Sequence, residues 1–188
     1  MIPLLACSLI SLALTIERFV FWTKLKSQDV LSQLMTLVEK GEFEQALKIG
    51  KASGQPIARV LAAGLAHRNP APAKAMEAAA QAEIPVLKSR LGVLDTIVTL
   101  APLLGLLGTV VGMIGSFDVM SEAGLGQPHA VTGGVAEALI ATATGLLIAI
   151  LTLVSYNYFT ARAEREMDRM EHFSSSLELL LHIHARKH

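Results

Sequence analysis

The chemistry of this sequence centres on one carboxylate, Glu137, the only charged residue in the apolar stretch from residue 131 to residue 159. A carboxylate in hydrocarbon is costly unless it faces a cavity or a partner, or takes up a proton. Thr144 shares its helical face, whereas Thr142 lies about 140° away on an ideal helical wheel. Glu137 therefore either lines an ion pathway or snorkels to the membrane interface. The cost of burying its charge favours the ion pathway.

Other polar groups near the apolar stretches give weaker signals. Thr109 lies in the middle of such a stretch, where a single threonine usually bonds a carbonyl of its own helix. Asp95 and Asp118 mark the two ends of that stretch and are interpreted as solvated boundary charges.

Histidines near the C-terminus suggest a metal site at first, at His172, His182, His184 and His188. Two residues at i, i+2 spacing point to nearly opposite sides of a helix, so these histidines do not converge on one ion. We interpret them as part of a solvated amphipathic tail. We expect no metal site and no cofactor.

Composition restricts the class of protein. The 188 residues are 52% hydrophobic and 17% charged, with 16 basic and 16 acidic side chains. Soluble domains usually carry about 25% charged residues. Because its net charge is zero, the chain does not have the positive electrostatic potential typical of a nucleic-acid binder. Its single cysteine, Cys7, excludes an internal disulfide framework. The sequence thus indicates a small protein of the lipid bilayer, with no nucleic-acid partner.

Three apolar stretches approach or exceed the length of about 20 residues that a transmembrane helix needs. They are residues 1–22, 93–117 and 131–159. The third would be about 43 Å long as a helix, so we expect it to protrude on one side. The first has no basic segment before it and no small-residue cleavage site, so we expect no cleaved signal peptide. A natural start upstream of Met1 stays open.

Lysine and arginine placement predicts the orientation of the spans. Ten of the 16 basic residues lie in residues 23–92 and five lie after residue 160, whereas segment 118–130 has none. By the positive-inside rule the N-terminus is periplasmic and the C-terminus cytoplasmic. The predicted order is transmembrane helix 1 (1–22), a cytoplasmic helical region (23–92), transmembrane helix 2 (93–117), a periplasmic loop (118–130), transmembrane helix 3 (131–159) and a cytoplasmic C-terminal helix (160–188).

The hydrophobic pattern is helical throughout, with short helices predicted at 30–39, 43–52 and 57–66. From residue 73 the pattern stays helical into the second span, and Pro85 and Pro102 are expected to cause kinks along this stretch. After Gly145 no glycine or proline interrupts the third helix. The predicted fold class is an all-α integral membrane protein, with three transmembrane helices, long cytoplasmic extensions and a small cytoplasmic helical region.

Glycine spacing in the second and third spans predicts close helix packing. The small residues concerned are Gly105, Gly108, Gly112 and Gly115 in the second span, and Gly134 and Gly145 in the third. Small residues on one helix face allow another backbone to approach closely. The packing lies either within one subunit or between the subunits of an oligomer, and the spacing alone favours neither.

Two segments contain these glycines and hydroxyls in order, namely Ala101-Pro-Leu-Leu-Gly-Leu-Leu-Gly-Thr-Val-Val-Gly-Met-Ile-Gly-Ser-Phe117 and Gly134-Val-Ala-Glu-Ala-Leu-Ile-Ala-Thr-Ala-Thr-Gly-Leu146. Together they resemble the second-span and third-span motifs of the MotA/TolQ/ExbB family of proton-channel subunits, most closely its ExbB/TolQ branch. Segments 16–19 and 41–47 resemble the first-span exit and first cytoplasmic helices of that family, so the resemblance covers nearly the whole chain.

The resemblance implies a homopentamer in the bacterial inner membrane, whose second and third spans line a central pore. Matched positions make Glu137 the pore carboxylate, and Thr109 and Thr142 the pore-lining hydroxyls. The family pore holds transmembrane helices of an ExbD/TolR-like single-span partner, which carries a proton-binding aspartate. Proton flow then drives motion of this partner, and a TonB/TolA-like protein is a further expected partner in energising outer-membrane transport or envelope maintenance.

Three functions are weighed for the chain. The first is the pore-forming subunit of such a motor, which is not an enzyme, and the second is a non-conducting scaffold for a periplasmic complex. An intramembrane enzyme is disfavoured because only His129 would accompany Glu137 on the predicted outer side. The scarcity of oxygen ligands in the spans favours the proton over sodium. The choice between the ExbB and TolQ sub-branches, and the driven process, stay open.

Overall fold

The computed structural model describes residues 1–25, 29–123 and 128–186, and every regular element within these ranges is an α-helix. Three helices are long and apolar enough to cross a membrane: α1 (Ile2–Lys24), α6 (Leu91–Ala123) and α7 (Pro128–Ala185). The predicted all-α membrane fold with three such helices is confirmed. The cytoplasmic location of the extensions stays a prediction.

Four shorter helices lie between α1 and α6, namely α2 (Asp29–Glu39), α3 (Phe43–Ala52), α4 (Pro56–Ala66) and α5 (Pro72–Leu87). The predicted bounds of α2, α3 and α4 agree with these to within one residue. Gly41 separates α2 from α3 with a φ of +79°, a left-handed conformation that glycine adopts without strain. The amide of Gly41 donates to the Val38 carbonyl oxygen at 3.0 Å, which closes the end of α2.

The prediction of one helix from residue 73 into the second span is wrong. Helix α5 ends at Leu87 and α6 begins at Leu91. Arg90 has a φ of +68°, in the left-handed region that interrupts a right-handed helix. Its Nε lies 3.8 Å from Oε1 of Glu17. Pro85 lies inside α5 and Pro102 lies inside α6, and each helix continues past its proline.

The helices also extend into the segment predicted as a loop at 118–130. Helix α6 continues to Ala123 and α7 begins at Pro128, while residues 124–127 lie outside the described part of the chain. The expected continuation of the third helix past Gly145 is confirmed, because α7 is a single helix of 58 residues.

One of two compact units comprises residues 1–18 and 90–159. Its core is formed by residues from α1, α6 and α7, namely Leu4, Cys7, Ile97, Ala101, Ile148 and Ala149. Many long apolar side chains outside this core remain exposed, among them Leu103, Leu139 and Leu151. Lipid or other apolar helices would suit such a surface.

The other unit comprises residues 19–89 and 160–188. Within it α4 packs against α3 and α5, and most of its residues are buried. Leu34, Ile57, Leu61 and Leu177 are fully buried. The α4 glycine Gly64 leaves room for neighbouring side chains, because a Cβ there would lie 2.6 Å from Cγ of Met76 in α5. This unit therefore has an ordinary apolar core of its own.

An ion pair joins α4 to α5 on the surface of this second unit. The Arg59 guanidinium donates to both carboxylate oxygens of Glu83, at 2.7 and 2.5 Å. This hydrogen bonding raises the pKa of Arg59. We expect Glu83→Gln to lower the free energy of unfolding by about 0.5–1 kcal/mol, since Arg59 is partly exposed. Thermal unfolding checks this result, and Glu77→Gln, an exposed position in the same helix, is its control. Equal effects of the two variants would contradict it.

Candidate ion-pathway site

Small residues bring the backbones of α6 and α7 into direct contact. A Cβ added to Gly105 would lie 3.0 Å from the carbonyl oxygen of Ala141 and 3.0 Å from Cα of Thr142. One added to Gly145 would lie 2.5 Å from the carbonyl oxygen of Ala101. Since these neighbours are backbone atoms, a side chain at either glycine would force the helices apart.

The contact continues along the two antiparallel helices. A Cβ at Gly108 would lie 2.8 Å from Cβ of Ala141, and one at Gly112 would lie 2.9 Å from Cβ of Ala138. Gly134 accommodates the hydroxyl of Ser116 in the same way. Five of the six glycines predicted for helix packing therefore lie in one interface within the chain.

Gly115 differs from the other five, because a Cβ there would have no neighbouring atom within 4 Å. From Gly105 to Gly115 the small-residue stripe advances about 3.3 residues per step, so it drifts around a helix of 3.6 residues per turn. Ser116 takes the place in the interface that Gly115 was expected to occupy. It is buried, and its Oγ donates to the Gly112 carbonyl oxygen at 2.8 Å. Sequence reasoning missed Ser116, although its spacing of four residues from Gly112 was a usable signal.

Thr109, Thr142 and Thr144 differ in the carbonyl groups to which their hydroxyls donate. Oγ1 of Thr142 donates to the Gly105 carbonyl oxygen at 3.0 Å, a hydrogen bond from α7 to α6. Thr109 donates to the Leu106 carbonyl oxygen at 2.6 Å, and Thr144 to that of Ile140 at 2.8 Å, each within its own helix. Thr142 thus has a role in helix packing that the other two lack.

Glu137 lies beside this interface and outside it. Its neighbour Ala138 is buried against Gly112, whereas the Glu137 side chain is exposed. Within the described chain it makes no hydrogen bond or ion pair. From the register of the helices, Glu137 lies about 5 Å along the axis from Thr109 and about 8 Å from Thr142. Glu137, Thr109 and Thr142 therefore lie at similar heights along the helix axes. Within one described chain, however, they do not form a common site.

We expect Thr142→Val to lower the free energy of unfolding by about 0.5–1 kcal/mol, because it removes the hydrogen bond between α7 and α6. Thr142→Ser keeps the donor and should retain most of the native stability. Thr109→Val is the matched control, since that hydroxyl bonds only its own helix. Thermal unfolding in detergent measures all three. A loss for Thr109→Val as large as that for Thr142→Val would show that the interhelical bond adds no stability.

Comparison with known proteins places these features within a wider group. The sequence model of the MotA/TolQ/ExbB proton channel family matches residues 52–172, which include the α6–α7 interface and Glu137. A Synechocystis protein named putative biopolymer transport protein ExbB-like 3 is 35% identical over 186 residues, covering 95% of this chain and 89% of the relative. The Tol-Pal system protein TolQ of Pseudomonas aeruginosa is 38% identical over 110 residues, 58% of this chain and 48% of the relative.

Proposed function

Because the chain belongs to the MotA/TolQ/ExbB proton channel family and to its ExbB/TolQ group, we propose that it forms the pore of an inner-membrane motor. In this proposal the proton-motive force drives protons through a ring of chains and moves a partner protein. The family is one of channels, and no catalytic activity is proposed.

The position of Glu137 carries the proposal. It is the only charged residue between residues 131 and 159, and its own chain leaves it exposed. At the centre of a lipid-facing helix a charged side chain costs about 2.5–3.5 kcal/mol by insertion measurements, and the cost falls toward the helix ends. A water-filled pore between subunits removes that cost. We therefore place the Glu137 side of α7 toward the axis of a homo-oligomer, with five chains as in the implied family architecture.

Hydroxyl chemistry supports Thr109 and Thr142 as pore-lining groups. Each uses its one hydrogen to bond a backbone carbonyl oxygen. Its lone pairs are then left as acceptors for water or a hydrated proton. Thr109 is half-buried within its own chain, and so is Thr142. We propose that different chains of the ring present these hydroxyls to one pore, at levels close to that of Glu137.

A moving partner is part of the proposal, since a fixed ring of identical carboxylates cannot by itself couple proton flow to motion. We propose an ExbD/TolR-like single-span protein as this partner, with a TonB/TolA-like protein receiving the force. The distribution of basic residues supports a periplasmic N-terminus and a cytoplasmic location for residues 23–92 and 160–188.

Proton uptake by reconstituted vesicles tests this function. The chain is purified with its co-purifying partner, reconstituted, and exposed to a pH gradient. We expect uptake well above that of protein-free vesicles and of vesicles containing the chain alone. If the assembled complex, with the partner present, shows no uptake above these two controls, the complex is a non-conducting scaffold.

A further inference from the structure

A second site of a different kind lies in the unit formed by residues 19–89 and 160–188. It is an open cavity of about 550 Å³, in the size range of small-molecule sites. Polar and aromatic groups line it: Lys40, Phe43, Arg68, Asn69 and His184. None of the described residues that line it is acidic. The cavity therefore presents several nitrogen groups and two positive charges, those of Lys40 and Arg68, a combination that suits an anion.

The ring of Phe43 orients two of these nitrogen groups. The Arg68 guanidinium carbon lies 5.0 Å from the centre of the Phe43 ring, a cation–π contact. The His184 ring packs against the same phenyl group at 5.4 Å between centres and nearly perpendicular to it. Stacking restricts the guanidinium while leaving its N–H edge available for hydrogen bonds. Less conformational freedom of Arg68 is then lost when an anion binds.

The hydrogen bonding of His184 determines what its other nitrogen can do. Nδ1 lies 2.9 Å from the Leu180 carbonyl oxygen, and because a carbonyl only accepts, Nδ1 carries the hydrogen. In the neutral ring Nε2 is then an acceptor and cannot bond an anion. In the protonated ring Nε2 becomes a donor. His184 thus adds an anion-binding group only when it is protonated.

Charged and titratable groups near His184 line this cavity and the cavity beside it. Lys40 follows α2, Arg68 precedes α5, and Glu178 and His182 of α7 line a neighbouring cavity that Arg68 shares. Among these residue types only histidine has a reference pKa between 6 and 8. A change of anion affinity in this range therefore reports on histidine.

We propose that this cavity binds a phosphate group, on a small molecule or on a lipid headgroup, and that protonation of His184 strengthens the binding. Lys40 and Arg68 supply charge-assisted hydrogen bonds, and the Asn69 amide is a further donor. The proposal concerns a site separate from the ion pathway, and its test uses no measurement of proton flow.

Titration calorimetry of the full-length chain in detergent with inorganic sulfate tests the site. Sulfate has the tetrahedral shape of phosphate and keeps two charges between pH 6 and 8, so only the protein titrates. We expect saturable binding at pH 6, weakened about tenfold or more by Arg68→Gln, because a hydrogen bond to a charged group is lost. Arg165→Gln, an exposed arginine of α7 outside the cavity, should bind as the native chain does. Absence of saturable binding, or equal binding by the two variants, overturns the proposal.

The pH dependence of sulfate affinity tests the role of His184. Native affinity for sulfate should fall about fivefold or more from pH 6 to pH 8 as histidine loses its proton. His184→Asn should abolish this fall, whereas His182→Asn should preserve it. A fall that persists in His184→Asn overturns the assignment to His184. Because the His184 ring is half-buried against Phe43, unfolding curves of both variants are recorded beside that of the native chain.

Lipid nanodiscs distinguish the two sources of the phosphate group. If the natural ligand is a soluble molecule, sulfate affinity is the same in zwitterionic discs and in discs containing phosphatidic acid. If a lipid headgroup occupies the cavity, phosphatidic acid weakens sulfate binding to the native chain. Both results support the phosphate site. A sulfate affinity that phosphatidic acid lowers equally in native chain and Arg68→Gln would overturn it, because the lipid effect would then be independent of the cavity.

Discussion

Glu137→Gln is expected to reduce proton uptake by the reconstituted complex by about a hundredfold or more, with the number of subunits unchanged. Glutamine has nearly the same shape as glutamate, so the packing of Ala138 against Gly112 beside it should persist. The amide cannot release and recover a proton at neutral pH. Uptake is followed under an imposed pH gradient, and the size of the complex is measured on the same preparation.

Two variants make this result specific. Glu137→Asp keeps a titratable group near the same level and should retain part of the uptake. Asp118→Asn removes an exposed carboxylate near the end of α6, away from the glycine interface, and should leave uptake unchanged. An assembled Glu137→Gln complex that still conducts would contradict the pathway assignment. Conduction lost equally in Asp118→Asn would point to a general effect of charge.

Gly145→Ala is expected to lower the free energy of unfolding by about 1–3 kcal/mol, the usual effect of overpacking. The new methyl group would lie 2.5 Å from the Ala101 carbonyl oxygen and 3.1 Å from Cα of Gly105. Neither atom belongs to a side chain that could rotate away. The effect opposes helix propensity, which favours alanine over glycine by about 1 kcal/mol. Thermal unfolding of the purified chain in detergent measures the change.

Gly115→Ala is the matched control, since it makes the same chemical change where no neighbouring atom lies within 4 Å. The stability of the single chain should be unchanged or slightly raised. If Gly145→Ala proves as stable as Gly115→Ala, the close contact between α6 and α7 is not required for the fold. If Gly115→Ala instead disrupts the oligomer alone, Gly115 packs on a neighbouring subunit.

Much of the fold could be predicted from the sequence because its causes are local. Apolar runs longer than about 20 residues identify the three long helices. Glycine and proline mark the ends of the short helices, as Gly41 does between α2 and α3. The break before α6 was missed because it depends on a left-handed Arg90, and arginine is not a residue type that predicts this conformation.

The candidate site was less predictable, since its geometry depends on two helices at once. Glu137 stands out in the sequence because a single charge in an apolar run is costly, whichever helices pack around it. A helical wheel relates Thr142 only to its own helix, so it gave no sign of the bond to the Gly105 carbonyl oxygen. The assignments of Glu137, Thr109 and Thr142 to an ion pathway stay predictions, because they concern surfaces that one chain leaves open.

The contact between α6 and α7 also limits how this sequence can evolve. At Gly105 and Gly145 the neighbouring atoms belong to the backbone, so any other residue would place its Cβ against atoms that cannot rotate away. Exposed leucines such as Leu103 and Leu151 need only remain apolar where they face lipid. We therefore expect neutral drift to concentrate on the outer faces of these helices. The inner faces should keep their glycines, because only a hydrogen atom fits between the two backbones there.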